Sequence, residues 1–150
     1  MATRADRQLI TVSESIWVNR PPEAVYDYTA DFATRTAWDR SISEVTILGT
    51  EPRSARITVP GLGRTSVVMR LDRRPERTSA VFQDVDSRWI TGGGGAWQYA
   101  PEEGGTRWTV TNSVEFRPTW LFRLLRPFIS RNIRANTRRA MAAAKRILET

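Results

Sequence analysis

The amino-acid sequence predicts an α+β fold in which a seven-stranded, curved antiparallel sheet wraps round a long C-terminal helix, with two short helices between strands 1 and 2. Three observations lead to this prediction. An alternating apolar pattern stops at Pro21 and Pro22, six strand-like segments follow with short turns between them, and the last segment is amphipathic. At 150 residues, the length is that of a single domain.

The composition excludes several kinds of catalytic site. The chain has no cysteine and no histidine, so Ser-His and Cys-His nucleophilic sites and ordinary zinc sites cannot form. We therefore expect no metal and no cofactor. Residues 1–8 are polar and are expected to be disordered. No segment has the pattern of a signal peptide or the length of an apolar membrane span, so we expect a cytoplasmic protein.

The first strand and the helices after it follow from alternation and from proline. Residues 9–18 alternate between apolar and hydroxyl-bearing side chains, which predicts a half-buried strand. Glu14 falls on the apolar side of this strand. The proline pair ends the strand, and Pro22 suits the first turn of a helix. A second short helical piece is predicted over residues 33–38.

Six further strands are predicted in a meander, because turn sequences at 60–63, 74–76 and 101–105 separate β-rich segments. The predicted strands are 44–50, 53–59, 64–73, 77–86, 89–100 and 106–116. Short hairpin loops favour antiparallel pairing. The four glycines at 92–95 are expected to let the sheet curl sharply, or to let a ligand or the long helix approach the backbone.

Residues 118–149 are predicted to be helical, with arginines opposite an apolar stripe. The stripe consists of Leu121, Leu125, Phe128, Ile129, Ile133, Ala140, Ala144 and Leu148. Pro127 predicts either a kink or a short helix over 120–126 followed by a longer one. From residue 118 onward there are eight basic residues and one acidic residue, which accounts for the whole formal net charge of +7.

A strongly twisted sheet curls, and a single helix in its concave side does not cover all of its surface. The uncovered remainder predicts a cavity between the sheet and the helix. The candidate ligand-binding residues are aromatic, thioether or amide side chains expected to face inward: Tyr28, Trp38, Met69, Trp97, Trp108, Asn112, Phe128, Asn132 and Asn136.

Catalytic residues are much less evident. Glu14 and Tyr28 are the candidates, because an unpaired, buried Glu14 would have a raised pKa and would act as a general base. The alternative for Glu14 is an ion pair with a neighbouring arginine.

The chain resembles a known superfamily. Strand-Pro-Pro-Glu-x-Val-Tyr, Trp38 after the helical pair, Gly-Gly-Thr-Arg-Trp-Thr-Val from Gly104 and the C-terminal helix are similar to the START-like, helix-grip (SRPBCC) superfamily, and in particular to its bacterial polyketide cyclase/dehydratase-like group. This resemblance implies a hydrophobic cavity for lipids, polyketides or related molecules, with Trp38 near its mouth. It supplies no catalytic motif.

Three functions follow as hypotheses. The first is binding or transport of a hydrophobic small molecule, and the second is a cyclase or dehydratase reaction in the same cavity. The third is lipid handling at an anionic membrane surface through residues 120–126, where apolar residues stand beside Arg123 and Arg126. Nucleic acid is not expected as a partner, because the apolar side of the basic helix is needed for the fold. The sequence leaves the oligomeric state open.

Overall fold

The computed structural model describes residues 8–61, 64–74 and 77–150, with the backbone alone at residues 73 and 74. The predicted disordered segment 1–8 lies outside the described residues except for Gln8. The carbonyl of Gln8 accepts a hydrogen bond from the backbone N–H of Phe116 at 3.0 Å.

The predicted α+β architecture is confirmed. Seven antiparallel strands form one sheet in the order β1-β7-β6-β5-β4-β3-β2. Adjacent strands in the sheet are consecutive in sequence, except that β1 lies beside β7. The elements are β1 (Leu9–Val18), α1 (Pro22–Thr29), a 3₁₀ turn (Phe32–Thr34), α2 (Arg35–Trp38), β2 (Glu44–Thr50), β3 (Arg53–Val59), β4 (Thr65–Arg74), β5 (Arg77–Asp86), β6 (Ile90–Glu102), β7 (Gly105–Phe116) and α3 (Trp120–Leu148).

The long helix α3 lies along the edge strand β1 and is tied to it at both ends. Near the start of α3, Arg126 Nη2 donates to the carbonyl of Leu9 at 3.1 Å. Near its end, Lys145 Nζ donates to the carbonyl of Trp17 at 2.6 Å. These two contacts satisfy carbonyls at opposite ends of β1, which is an edge strand of the sheet.

Two hydrophobic clusters hold the helix on the sheet. The larger cluster combines α1, the concave face of the sheet and the C-terminal half of α3, including Ala140, Met141 and Ala144. The smaller cluster holds the N-terminal half of α3, and it consists of Ile10, Val12, Phe116 and Phe122. In it, the rings of Phe116 and Phe122 stack with their centroids 4.8 Å apart.

The phase of α3 differs from the sequence prediction in its first half. Its buried residues are Phe122, Thr137, Ala140, Met141, Ala144 and Leu148, whereas Leu125 and Phe128 are exposed. The predicted stripe was therefore wrong at these two positions. The physical reason is the stacking of Phe122 on Phe116, which turns the neighbouring residues of the helix towards solvent.

Pro127 lies inside a continuous helix, so the alternative of two separate helices was also wrong. Proline has no N–H to offer the carbonyl of Arg123, four residues earlier. Both Arg123 and Pro127 are exposed, and water can therefore hydrogen-bond to that carbonyl.

The glycine tract lies where side chains would collide with the backbone of neighbouring strands. The register of β6 on β7 shifts between Ile90 and Gly92, and Gly93 has φ of +151°. A side chain at Gly93 would collide with the carbonyl of Ser113 on β7 and would approach the Phe82 ring to 3.0 Å. The same collision with a neighbouring backbone would occur at Gly94 and Gly95, so only glycine permits this curvature.

The observed orientation of α3 predicts that two large-to-alanine substitutions on this helix change the free energy of unfolding by different amounts. Phe122→Ala should lower the free energy of unfolding by about 3–5 kcal/mol, because it empties a packed site. Leu124→Ala, at a position 64% exposed, should change it by less than about 0.5 kcal/mol. Urea denaturation of both variants measures the difference. Equal costs would contradict the orientation of the helix.

Candidate functional site

The described residues enclose a cavity of about 220 Å³ between the concave face of the sheet and α3. Most of its lining is apolar, as expected for a site that binds a hydrophobic molecule. Exposed Gly61 and Asn132 are among the lining residues, so the cavity reaches the surface on that side. The apolar wall includes Ile57, Val67, Met69, Phe82, Trp97, Val110, Val114, Ala140 and Met141.

One wall of the cavity comes from the short helix α2 and from its C-cap residue, Asp39. Arg35 donates through Nε and Nη2 to Oδ2 of Asp39, at 3.1 and 3.0 Å. The other carboxylate oxygen of Asp39 accepts from the backbone N–H and hydroxyl of Ser41, at 3.1 and 2.6 Å. The spacing of four residues puts Arg35 and Asp39 on one side of the helix, and all the contacts together fix this corner.

The guanidinium of Arg35 contacts two indole rings on the cavity wall. Its Cζ is 4.5 Å from the ring centroid of Trp38 and 5.3 Å from that of Trp97, which is the geometry of a cation–π contact. The Arg35 side chain is only 12% exposed. Arg35 was not among the residues predicted from the sequence, although Arg35, Trp38 and Asp39 lie within about one helical turn.

Two hydrogen-bond donors of this wall have no acceptor among the described residues. They are Nη1 of Arg35 and Nε1 of Trp38, and both are buried. A buried donor without a partner costs about 1–3 kcal/mol. Native structures contain few such groups, and they often occur where a ligand or an ordered water belongs.

A second polar part of the cavity lining is built on β7 and α3. Asn112 Nδ2 donates to Oγ1 of Thr137 at 3.1 Å, and that hydroxyl donates to the carbonyl of Ile133 at 2.8 Å. Asn132 and Asn136 line the same side, one turn apart on α3. Asn136 Oδ1 accepts from Arg139 at 3.2 Å, so one of its polar groups already has a partner.

The structure brings most of the predicted site residues together at the cavity. Those that line it are Trp38, Met69, Trp97, Asn112, Asn132 and Asn136. The three remaining candidates, Tyr28, Trp108 and Phe128, are not among its lining residues.

Each of these three residues has a different environment. Trp108 is fully buried behind Trp38, with the two rings edge to face at 5.8 Å, and it supports the wall from behind. Tyr28 is half-buried on α1, and burial raises the pKa of its hydroxyl. Phe128 is 65% exposed on α3, because Phe122 sets the phase of that helix.

Glu14 does point inward from β1, but it forms an ion pair. Its Oε1 lies 2.6 Å from Nη1 of Arg134 and 3.1 Å from Nε of Arg138. Desolvation by burial raises the pKa of Glu14, but hydrogen bonds and charge from Arg138 and Arg134 outweigh it and hold the pKa below its ordinary value of 4.5. The idea of an unpaired general base with a raised pKa was therefore wrong.

The fold and the cavity together define a protein of the START-like, helix-grip class. The sequence matches the family described as polyketide cyclase / dehydrase and lipid transport over residues 10–149. The chain belongs to this family. No curated protein matches the sequence.

Solved structures of other proteins share this fold. A protein of Thermus thermophilus has a TM-score of 0.81 at 17% identity, covering 92% of this chain and 96% of that one. A START superfamily protein from Mycobacterium smegmatis has a TM-score of 0.76 at 18% identity, covering 93% and 97%. The Zhui aromatase/cyclase from a Streptomyces species has a TM-score of 0.80 at 16% identity, covering 94% of each chain. At such identities, the likeness shows a shared fold.

Two further observations concern the described part of the chain. None of its helices is long and apolar enough to cross a membrane. No three acidic side chains in it come close enough together to hold a metal ion.

The ion pair of Glu14 predicts a pH-dependent contribution to stability. Glu14→Gln should lower the free energy of unfolding at pH 7 by about 1 kcal/mol, a modest cost because the Arg134 and Arg138 side chains are 43% and 65% exposed and water screens them. Since the folded pKa lies below the unfolded value, the contribution is complete above about pH 4.5 and is lost as the pH falls through the folded pKa. Denaturant unfolding across this range measures it.

Glu102 provides a matched control, since its side chain, paired with Arg107, is 39% exposed, against 14% for Glu14. Glu102→Gln should cost less than about 0.5 kcal/mol at any pH. A cost for Glu14→Gln that stays constant down to pH 3 would contradict the ion-pair explanation.

Proposed function

We propose that this protein binds a compact, mainly apolar small molecule in the cavity between the sheet and α3. The observation that carries this proposal is an apolar space of about 220 Å³ walled by Trp38, Trp97 and Met69. Pockets for drug-sized ligands have volumes of about 300–1,000 Å³, whereas a cavity of about 150 Å³ accepts benzene. The volume therefore suits one substituted ring or a short acyl chain.

The expected affinity follows from the area that such a ligand buries. An aromatic ring of side-chain size buries about 150–250 Å², which contributes about 4–6 kcal/mol. Part of this gain is offset by lost translational and rotational freedom. A purely apolar ligand of this size should bind with a dissociation constant of about 1 mM, so tighter binding requires a polar contact.

The wall of α2 offers such a contact. Arg35 Nη1 and Trp38 Nε1 are buried donors without an acceptor in the described structure. A ligand oxygen that reaches either donor after a small side-chain displacement removes the cost of leaving it unpaired. Because Asp39 already balances the charge of Arg35, a neutral carbonyl or phenol is favoured over a carboxylate.

Binding is better supported than a cyclase or dehydratase reaction. Proton transfer requires a free acceptor within hydrogen-bond reach of the substrate. Among the described residues that line the cavity, Asp39 is the only carboxylate, and both of its oxygens accept hydrogen bonds from Arg35 and Ser41. A folded polyketone is also larger than the ligand that this volume suits.

Filling the cavity from the helix tests the location of the site. Ala140→Leu adds a side chain at a buried lining position and should weaken binding of acetophenone at least about tenfold, since the ring and the new side chain compete for one space. The melting temperature should not fall, because leucine is a good helix former and fills a void. Titration calorimetry and thermal melts measure both effects.

Ala135→Leu is the matched control, since Ala135 lies on the same helix and is not a lining residue. It should leave acetophenone binding unchanged. Equal effects of the two substitutions, or no acetophenone binding at millimolar concentration by the unaltered protein, would rule out this cavity as the site.

A pair of isosteric ligands tests the polar contact. Acetophenone and α-methylstyrene have nearly the same shape, but only the ketone accepts a hydrogen bond. Acetophenone should bind about tenfold more tightly, as expected for one restored contact to a buried donor. With ¹⁵N-labelled tryptophan, the Trp38 indole proton should move downfield with acetophenone and not with α-methylstyrene.

Trp38→Phe keeps an aromatic ring and removes the indole N–H, and it also identifies the Trp38 signal. If Arg35 contributes the contact instead, Arg35→Lys removes the preference while Trp38→Phe preserves it. Equal affinities for the two ligands in the unaltered protein would refute the polar contact and would leave the apolar site to be judged by the Ala140 substitution.

A further inference from the structure

The N-terminal half of α3 presents three large apolar side chains to solvent. Trp120, Leu124 and Phe128 are 77%, 64% and 65% exposed. They follow one another at intervals of four residues, so they lie along one face of the helix. We call these three residues the exposed stripe. Monomeric soluble proteins seldom expose several large apolar residues side by side without a binding role.

The orientation of the exposed stripe is fixed by the opposite side of the same helix. Phe122 is buried against Phe116, and Ile129 and Ile133 pack on the same small cluster. Arg126, also on this side, donates to the carbonyl of Leu9. The exposed stripe therefore cannot turn inward without unpacking this end of the helix.

Positive charge accompanies the exposed stripe. Arg123 and Arg131 are exposed and lie three residues from Trp120 and Phe128 respectively, which makes them neighbours on the helix surface. Farther along α3, Arg139 and Arg146 are exposed as well. The segment from residue 118 onward carries the entire net charge of +7, so the field around this helix attracts anionic partners.

We propose that this face of α3 docks on the surface of an anionic lipid bilayer. The indole and phenyl rings of the exposed stripe enter the headgroup region, where amphipathic aromatic side chains are favoured. The neighbouring arginines contact lipid phosphates, to which a guanidinium can donate two parallel hydrogen bonds. Each arginine near such a surface strengthens binding about fivefold.

Charge argues against a second copy of this chain as the occupant. An isologous dimer brings the same surface patch of both subunits together. Arg123 and Arg131 of one copy would then approach the same residues of the other, with no acidic side chain in the exposed stripe to compensate. An anionic membrane supplies both the apolar layer and the opposite charge.

Cosedimentation with lipid vesicles tests the proposal on the full chain. The protein should pellet with vesicles of mixed phosphatidylserine and phosphatidylcholine at low salt. It should pellet much less with pure phosphatidylcholine, or at an ionic strength of about 1 M, where the screening length falls to about 3 Å. The fluorescence of exposed Trp120 should shift to shorter wavelength on binding, and the shift should be absent in Trp120→Phe.

Two pairs of variants separate the exposed stripe from general basicity. Trp120→Ala combined with Leu124→Ala should weaken binding at least about tenfold without lowering the melting temperature, because both positions are exposed. The control combines Ile47→Ala and Leu48→Ala, which are 51% and 54% exposed on β2, and it should bind as the unaltered protein does. Arg131→Glu should weaken binding at least about fivefold, whereas Arg70→Glu, exposed on β4, should have a smaller effect.

Several outcomes would overturn the proposal. The first is that the protein fails to pellet with anionic vesicles at low salt, or that it binds neutral and anionic vesicles equally. The second is that the exposed-stripe variant and the control variant bind alike, which would reduce the interaction to net charge. The third is that analytical ultracentrifugation shows a stable dimer that Trp120→Ala with Leu124→Ala dissociates, which would assign the exposed stripe to self-association.

Discussion

The seating of α3 against the sheet is the constraint on which the rest of this structure depends. The helix is held at its start by Phe122 and at its end by Ala144 and Leu148, all of them buried. Between these anchors the cavity-lining side chains of the helix differ in size, with Thr137 and Ala140 small and Ile133 and Met141 large. At the small side chains, the anchored helix leaves a space that the sheet does not fill, because close-packed strands resist collapse into it. The cavity is therefore a consequence of where the large and the small residues of one helix fall.

The corner at α2 determines the chemical character of that space. Its four helical residues are too few to be stable alone, so the bonds from Arg35 and Ser41 to Asp39, together with the contact between Trp38 and Trp108, hold this corner in place. The cost of burying the Arg35–Asp39 pair is reduced by these bonds and by the flanking indoles. A hydrogen-bonded ion pair beside aromatic rings makes a wall that has no net charge and holds two buried donors without acceptors in the described part of the chain. Both the preference for an apolar ligand and the opportunity for one polar contact follow from this corner.

The sequence predicted the sheet closely because period-two alternation and turn residues are local signals. The bounds of β1, β2, β3 and β5 agree with the prediction, and β4, β6 and β7 differ by one or two residues. The cavity residues on strands, such as Trp97 and Asn112, were predicted for the same reason. The phase of α3 was not, since Leu121, Phe122, Leu124 and Leu125 offer two apolar faces and only contact with Phe116 selects one. Arg35 was not predicted because its place in the cavity wall depends on contact with Trp97, which is sixty-two residues away in sequence. In the same way, the ion pairing of Glu14 depends on Arg134 and Arg138, which are distant in sequence.

The pairing of β1 with β7 joins segments that are far apart along the chain. Thr11 and Ser113, which share a hydrogen bond across these strands, are separated by 102 positions. On the ribosome, β1 must wait for β7 to emerge, which takes about 5–20 s at ordinary rates of translation. Throughout that interval, the hydrogen-bonding edges and the apolar side of β1 have no native partner. Until β7 has been synthesised, β1 is open to non-native pairing, so nascent chains with this strand order are exposed to misfolding and aggregation.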